Sequence, residues 1–279
     1  MKITPDELKI IAQYVYNISG IYLDQSKAYL LENRLKPLIA QEKVATYNEL
    51  YNKARADGSK KIEKAIIDAI TTKETLFFRD NAPFELLKHK ILPDIIDARS
   101  TKTHSSIPVK IRIWSAACST GQEVYSIAIA VKEVIPDLNK YQVTILGTDI
   151  SDEAIAKASY GKYNKFEIER GLSRDKLEKY FNKAPDGNWR IKDEIRALTN
   201  FRKINLMQPV SILGKFDIIF CRNVAIYFKP DDKKRLFERL GGILQPDGCL
   251  LIGSTESLSG ITRSFVPKRY MRSIFYQLS

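Results

Sequence analysis

The apolar positions of the chain change period once, near residue 110. Before that point Leu8, Ile11 and Ile18, then Leu30, Leu31, Leu35 and Leu38, recur three or four apart, the spacing of one face of an α-helix. Thr4, Pro5 and Glu7 open the first helix as N-cap, N1 proline and capping-box partner. Gly20 ends it, and Asp24 or Ser26 can cap the next. Pro37 falls inside that second pattern and is expected to kink or restart it. Ala-Asp-Gly-Ser at 56–59 reads as a loop, and Lys61 to Ile70 as a further amphipathic helix. Residues 1–72 therefore predict an all-α domain of four or five helices.

After residue 110 continuous apolar runs alternate with helical patterns. Lys110 to Cys118 reads as a strand entering a small-residue turn, and Gln122 to Val134 as an amphipathic helix stopped by Pro136. Val143 to Asp149 is a second strand, with Ser151 capping the helix behind it. Phe216 to Cys221 and Cys249 to Gly253 are two further buried strands. Between them lies a helix from Asp231 to Leu244, closed by Gln-Pro-Asp-Gly. The alternation predicts an α/β class, a doubly wound parallel sheet with helices on both faces. Ser273 to Leu278 follows no clear helix and is expected to pair antiparallel. The stretch from about 160 to 200 breaks the alternation. Its turn at Pro185-Asp-Gly-Asn188 predicts a small inserted antiparallel β-subdomain at about 172–200, with a helix before it. Residues 73–84 then form a linker, and 85–279 the sheet domain.

Composition narrows the possibilities. No run of about 18 apolar residues exists to span a bilayer, and the N-terminus has no apolar h-region. A cytoplasmic protein without membrane insertion is expected. Cys118, Cys221 and Cys249 are widely spaced with no C-x-x-C pair. Buried thiols are expected, and no metal or redox dithiol. The net charge of +12 suggests an acidic partner, whether nucleic acid, anionic lipid or an acidic protein surface. Scattered lysines argue against a disordered nucleic-acid tail.

Four clusters can carry chemistry. Ser115 to Glu123 joins strand to helix through small residues, among them Ala116 and Gly121, so that backbone can approach a ligand at a helix N-terminus. It matches neither G-x-G-x-x-G nor a Walker loop, and it also reads as a plain tight turn. Asp149 ends the second strand, where an acid accepts hydrogen bonds from ribose hydroxyls; it also suits an N-cap. Together the two point to an adenosine-containing ligand. Arg222, Asn223 and Tyr227 emerge together after an apolar strand. On periodicity alone, Thr75 to Asp80 reads as interdomain packing through Phe77 and Phe78. His89 and His104 are the only histidines, and neither sits in an acid/base constellation.

Four blocks of sequence carry a family resemblance: Gly20-Ile with Asn33-Arg34-Leu35, Thr75-x-Phe-Phe-Arg79, Trp114 to Ser126, and Phe220 to Phe228. Leu244 to Gly248 and Gly253 to Glu256 fit the same pattern. Over nearly its whole length the chain resembles the chemotaxis receptor glutamate methyltransferases, the CheR family. The resemblance implies a class I methyltransferase domain, Rossmann-like, behind a helical domain. It implies S-adenosylmethionine as cofactor, S-adenosylhomocysteine as product, and glutamates on the acidic cytoplasmic helices of membrane-bound receptor arrays as substrate. Carried over, Thr75 and Arg79 reach the cofactor from the linker, and Glu123 and Asp149 hold its amino-acid and ribose portions. Asn205 and Leu206 flank the adenine, while Arg222 and Asn223 border the pocket. Arg79 and Tyr227 position the substrate carboxylate. Lys73 stands where many relatives have asparagine; Cys118 and Gln122 replace alanine and glutamate. The helix from Lys27 to Glu42, the docking helix of the family, carries Arg34 and Lys36. The short turn at Pro185 suggests that no receptor tail peptide is needed as a tether. A monomer is expected. The alternatives are a nucleic-acid methyltransferase, prompted by the charge, and a non-catalytic scaffold that holds the cofactor.

Overall fold

The Thr4 hydroxyl accepts a hydrogen bond from the Glu7 N–H while the Glu7 carboxylate accepts from the Thr4 N–H, so the first helix, α1, starts at Pro5. It runs over Pro5–Ser19 and stops at Gly20, whose φ of 79° ends it in a left-handed cap. The chain is described here by a computed structural model covering residues 2–100 and 108–279; His104 lies outside the described residues. Asp24 caps a short 3₁₀ turn that leads into α2, Ala28–Glu42. That helix continues through Pro37 without restarting. Asn33, whose carbonyl loses its partner to the proline, and Pro37 itself are both exposed, so water can satisfy the freed group. α3, Tyr47–Ala56, and α4, Lys61–Ile70, complete the bundle around Ile11, Val15, Leu31, Leu35, Leu50 and Ile66.

A helical block follows: α5, Ala82–Leu86, a π-helical turn over Leu87–Ile91, and α6, Leu92–Ser100. The sequence reading had assigned no element here. The sheet domain then alternates as expected. β1, Val109–Ala116, leads to α7, Gln122–Val134, then β2, Tyr141–Asp149, and α8, Asp152–Tyr160. α7 is buried along most of its length. Nine of its residues are buried, because it lies under α5 and α6 as well as against the sheet.

The insertion holds β3, Lys162–Tyr163, α9, Lys165–Glu169, α10, Arg174–Tyr180, β4, Phe181–Lys183, and β5, Trp189–Ile191. Its three strands form a separate antiparallel sheet in the order β3-β5-β4. The first strand comes from upstream of residue 172. A short α11, Asp193–Arg196, returns the chain to β6, Thr199–Lys203. β7, Phe216–Cys221, α12, Pro230–Ile243, β8, Leu244–Ile252, β9, Phe265–Tyr270, and β10, Ser273–Leu278, finish the fold.

The main sheet has the order β6-β2-β1-β7-β8-β10-β9. β1, β2, β6, β7 and β8 are parallel, and β10 runs antiparallel to β8 and β9. This is the doubly wound sheet expected from the alternation, in the class I methyltransferase arrangement that the family resemblance implies. Chain order reverses between β1 and β7, so a crevice opens beyond their carboxyl ends. The pleat sends Ile111 and Ile113 into one core and Trp114 and Ala116 into the other.

Two readings need correction. Gln245 to Gly248 does not separate helix from strand but lies within β8, in a register shift opposite Phe216 to Ile218. β9 was not anticipated, and it contains Pro267. It sits at the sheet edge, where a proline is tolerated. All three cysteines are buried and free, and burial pushes the Cys249 thiol up to about 12.

Candidate active site

At the carboxyl ends of β1, β2 and β7 lies a cavity of about 350 Å³, within the range of about 300–1,000 Å³ common for small-molecule sites. The sheet supplies one wall, and the bundle supplies the other through Ser19, Ile21, Leu23 and Leu30. The domains are joined around it. The Tyr22 N–H donates to the Tyr227 carbonyl at 2.9 Å, and the Asn205 amide to the Ile18 carbonyl at 3.0 Å. The Ser151 hydroxyl donates to Asp68 at 2.6 Å and the Tyr16 hydroxyl to Asp232 at 2.8 Å. Arg34 turns inward to the Ile70 carbonyl and Thr72, so its guanidinium ties α2 to the end of α4, just before the linker.

Thr75, Arg79, Glu123, Asp149, Asn205, Leu206, Arg222, Asn223 and Tyr227 all line this cavity. Ala116 and Gly121 do not; their neighbours Ala117 and Ser119 take that place. Gly121 is needed for another reason. Its φ is 93°, and a Cβ there would lie 2.8 Å from the Cβ of Ala158, so it lets α7 start against α8. Six of the nine non-glycine residues with positive φ among the described residues surround the site: Phe78, Asp80, Asn81, Ala117, Ser119 and Asn223. Such clustered strain persists only where neighbours over-determine the backbone.

Those neighbours can be named. Arg222, with its side chain 1% exposed, donates to Glu123 at 2.8 Å, to Asp80 at 2.7 Å and to the Arg79 carbonyl at 2.9 Å. Glu123 also accepts from the Ser115 hydroxyl at 2.7 Å. Asn223 is held by its N–H, which donates to Glu256 at 2.7 Å. Lys73 pairs with Glu153. Arg79 lines the cavity, and among the described residues its side chain makes no ion pair and no hydrogen bond. Asp80, Ser119 and Glu256 were missed by the sequence reading. Glu256 left a trace as the end of the Gly-Ser-Thr-Glu run, but its partner lies 33 residues away.

Asp149 accepts from the Ser119 N–H at 2.8 Å and the Ser151 N–H at 3.0 Å. Burial pushes its carboxyl above the ordinary aspartate value, against the downward pull of these two backbone donors. A carboxylate has about four lone-pair sites, so it keeps acceptor capacity toward the cavity. The Ser119 hydroxyl is buried in the same wall and lacks a partner.

Residues 73–272 match the family described as CheR methyltransferase, SAM binding domain, and residues 6–71 match CheR methyltransferase, all-alpha domain. The chain belongs to the CheR methyltransferase family. The chemotaxis protein methyltransferase of Vibrio parahaemolyticus is 39% identical over 279 residues, covering 99% of this chain and 98% of that protein. The chemotaxis protein methyltransferase 1 of Vibrio cholerae gives the same identity and coverage. That of Pseudomonas aeruginosa is 35% identical over 275 residues, covering 97% of each. The family is a methyltransferase family, and S-adenosylmethionine is its cofactor. The cavity suits that molecule: a buried acid with spare acceptor capacity, an unpartnered hydroxyl beside it and an apolar opposite wall. Among the described residues no helix is long and apolar enough to cross a membrane.

The raised Asp149 carboxyl gives a pH test. Were Asp149 the acceptor for the ribose hydroxyls, its ionised form would be the stronger one. Affinity for S-adenosylhomocysteine, followed by calorimetry from neutral pH downward while the protein stays folded, is expected to fall on acidification as Asp149 protonates. Asp149→Asn should bind weakly throughout and lose that dependence. The apo protein should respond in the opposite sense. An acid raised on folding stabilises below its unfolded value, and that stability is lost as pH rises through the folded value.

Proposed function

We propose that this chain transfers the methyl group of S-adenosylmethionine to glutamate side chains on the cytoplasmic helices of chemoreceptors, leaving glutamate methyl esters. The observation that carries the reading is the convergence on one cavity of an unpaired Arg79 and Tyr227 with Asp149 and Glu123. The bound cofactor supplies an electrophilic methyl on a sulfonium; the rest is the work of this chain. Asp149 takes the ribose hydroxyls and Glu123 the amino group. Asn205 and Leu206 stand at the adenine, and Thr75 and Asn223 complete the wall. Residues 73–84 act as the linker that brings Arg79 to the site. Arg79 grips one carboxylate oxygen of the substrate glutamate, and Tyr227 orients the other.

No general base is required. A glutamate carboxyl with a pKa near ~4.3 is already ionised at neutral pH, which agrees with a cavity whose lining contains no histidine. Orientation is the main contribution, worth roughly 7–11 kcal/mol in favourable cases. Attraction of the +12 chain to acidic receptor helices would bring a cytoplasmic monomer to the receptor array.

The test offers the purified protein methyl-labelled cofactor with a receptor cytoplasmic fragment or with RNA. Label on receptor glutamates, released by mild base, is expected; label on RNA, or on neither, overturns the proposal. Tyr227→Phe should lower kcat about tenfold with S-adenosylhomocysteine affinity retained, and a wild-type kcat would remove the phenol from the mechanism.

A further inference from the structure

We propose that the inserted three-stranded sheet is the platform that sets the position of Arg79, which makes Tyr163, Gly171 and Phe181 positioning residues for methyl transfer. The inference rests on the role given to Arg79 above. The linker carrying Arg79 crosses this insertion before reaching the cavity, and the contacts come from four of its segments. The Phe77 ring is fully buried, edge-on to Tyr163 of β3 at 5.0 Å and to Phe181 of β4 at 5.5 Å. Arg170, after α9, donates to Glu74 at 2.6 Å. Lys176 of α10 lies 5.1 Å over the Phe78 ring.

The closest approach is at Gly171. A Cβ on this residue would stand 2.0 Å from the Phe77 carbonyl oxygen, which is backbone and cannot turn aside. The platform is in turn fixed to the sheet domain. The Tyr163 hydroxyl donates to the Thr120 carbonyl at 2.8 Å, in the turn between β1 and α7. A single tyrosine thus touches both the linker ring and the loop that carries Ser119. On its far side the linker is anchored by Arg222, and the Phe78 N–H donates to the Ser126 hydroxyl at 2.9 Å. Arg79 hangs between these two fixings.

Two glycines of the insertion provide a matched test. Gly171 and Gly187 have φ of 98° and 82°, so alanine carries a similar left-handed backbone cost at each. Only at Gly171 does the new methyl meet the linker; at Gly187 nothing lies within 4 Å. Gly171→Ala is expected to lower kcat about tenfold or more, with S-adenosylhomocysteine affinity within about threefold, while Gly187→Ala keeps the wild-type kcat. In an Arg79→Ala background, Gly171→Ala should add no further loss, since both act through the same group. Equal effects at the two glycines, or independent losses in the double variant, would overturn the proposal. Should Gly171→Ala fail to fold, Arg170→Gln combined with Lys176→Gln loosens the insertion's contacts with Glu74 and Phe78 of the linker and should lower kcat about threefold; an unchanged kcat there also overturns it. A wild-type rate in Arg79→Ala alone would instead defeat the assigned role of Arg79.

Discussion

Arg79→Ala is expected to slow methyl transfer about 10²-fold or more, with a smaller loss of cofactor affinity and almost no change in folding stability. The size follows from geometry: misplacing a reacting group by about 1 Å can cost about 10²-fold. Here the substrate carboxylate would lose its only arginine anchor on the linker. Stability should hold because the Arg79 side chain makes no ion pair or hydrogen bond among the described residues, and its surroundings are set by Phe77, Phe78 and Arg222. Attraction alone would not make Arg79 catalytic. Charge on the carboxylate falls as the bond to carbon forms, so the benefit must lie in alignment. Initial rates with a receptor fragment, alongside a thermal melt, measure both quantities. A folded variant turning over at the wild-type rate would exclude Arg79 from the site.

Arg222→Met should destabilise the protein by about 3 kcal/mol and abolish activity together with it. Removing one member of a buried pair costs about 3–5 kcal/mol, because the remaining charges stay desolvated. The lower end applies because Asp80 is 34% exposed, whereas Glu123 is 13% exposed. Methionine restores much of the volume, so the loss reports charge and not a cavity. Activity should fail for a second reason. Arg222 holds the Arg79 carbonyl and Asp80, beside the left-handed backbone of Asp80 and Asn81. Urea unfolding gives the first effect and cofactor titration of the folded variant the second. A stability within about 1 kcal/mol of wild type would mean the three-way ion pair is dispensable.

Arg222 also marks the limit of what its motif reveals. That it borders a pocket was legible from its place after an apolar strand. That it faces two acids was not, since Asp80 and Glu123 lie 142 and 99 residues away in sequence. The same divide runs through the fold. β7 and α7 were read with their observed ends, because local period and capping residues fix such boundaries. The burial of α7 on nearly every side depends on helices from another stretch of chain. β9 was not read at all, and its place at the edge is a property of the assembled sheet. At the site, Asp149 and the Arg79 linker were visible as motifs. The small residues of the first turn were read as a ligand cradle, whereas Gly121 spends its freedom on contact with Ala158.

The interdomain seam constrains how relatives of this chain could exchange parts. Gly20 closes α1 where any β-carbon would fall 2.3 Å from the Met207 Cγ, and the Asn205 amide reaches the last turn of the same helix. A helical half borrowed from another member must therefore end its first helix in this stereochemistry and leave room for a methionine. Grafts lacking that match would assemble two sound halves around a breached chamber.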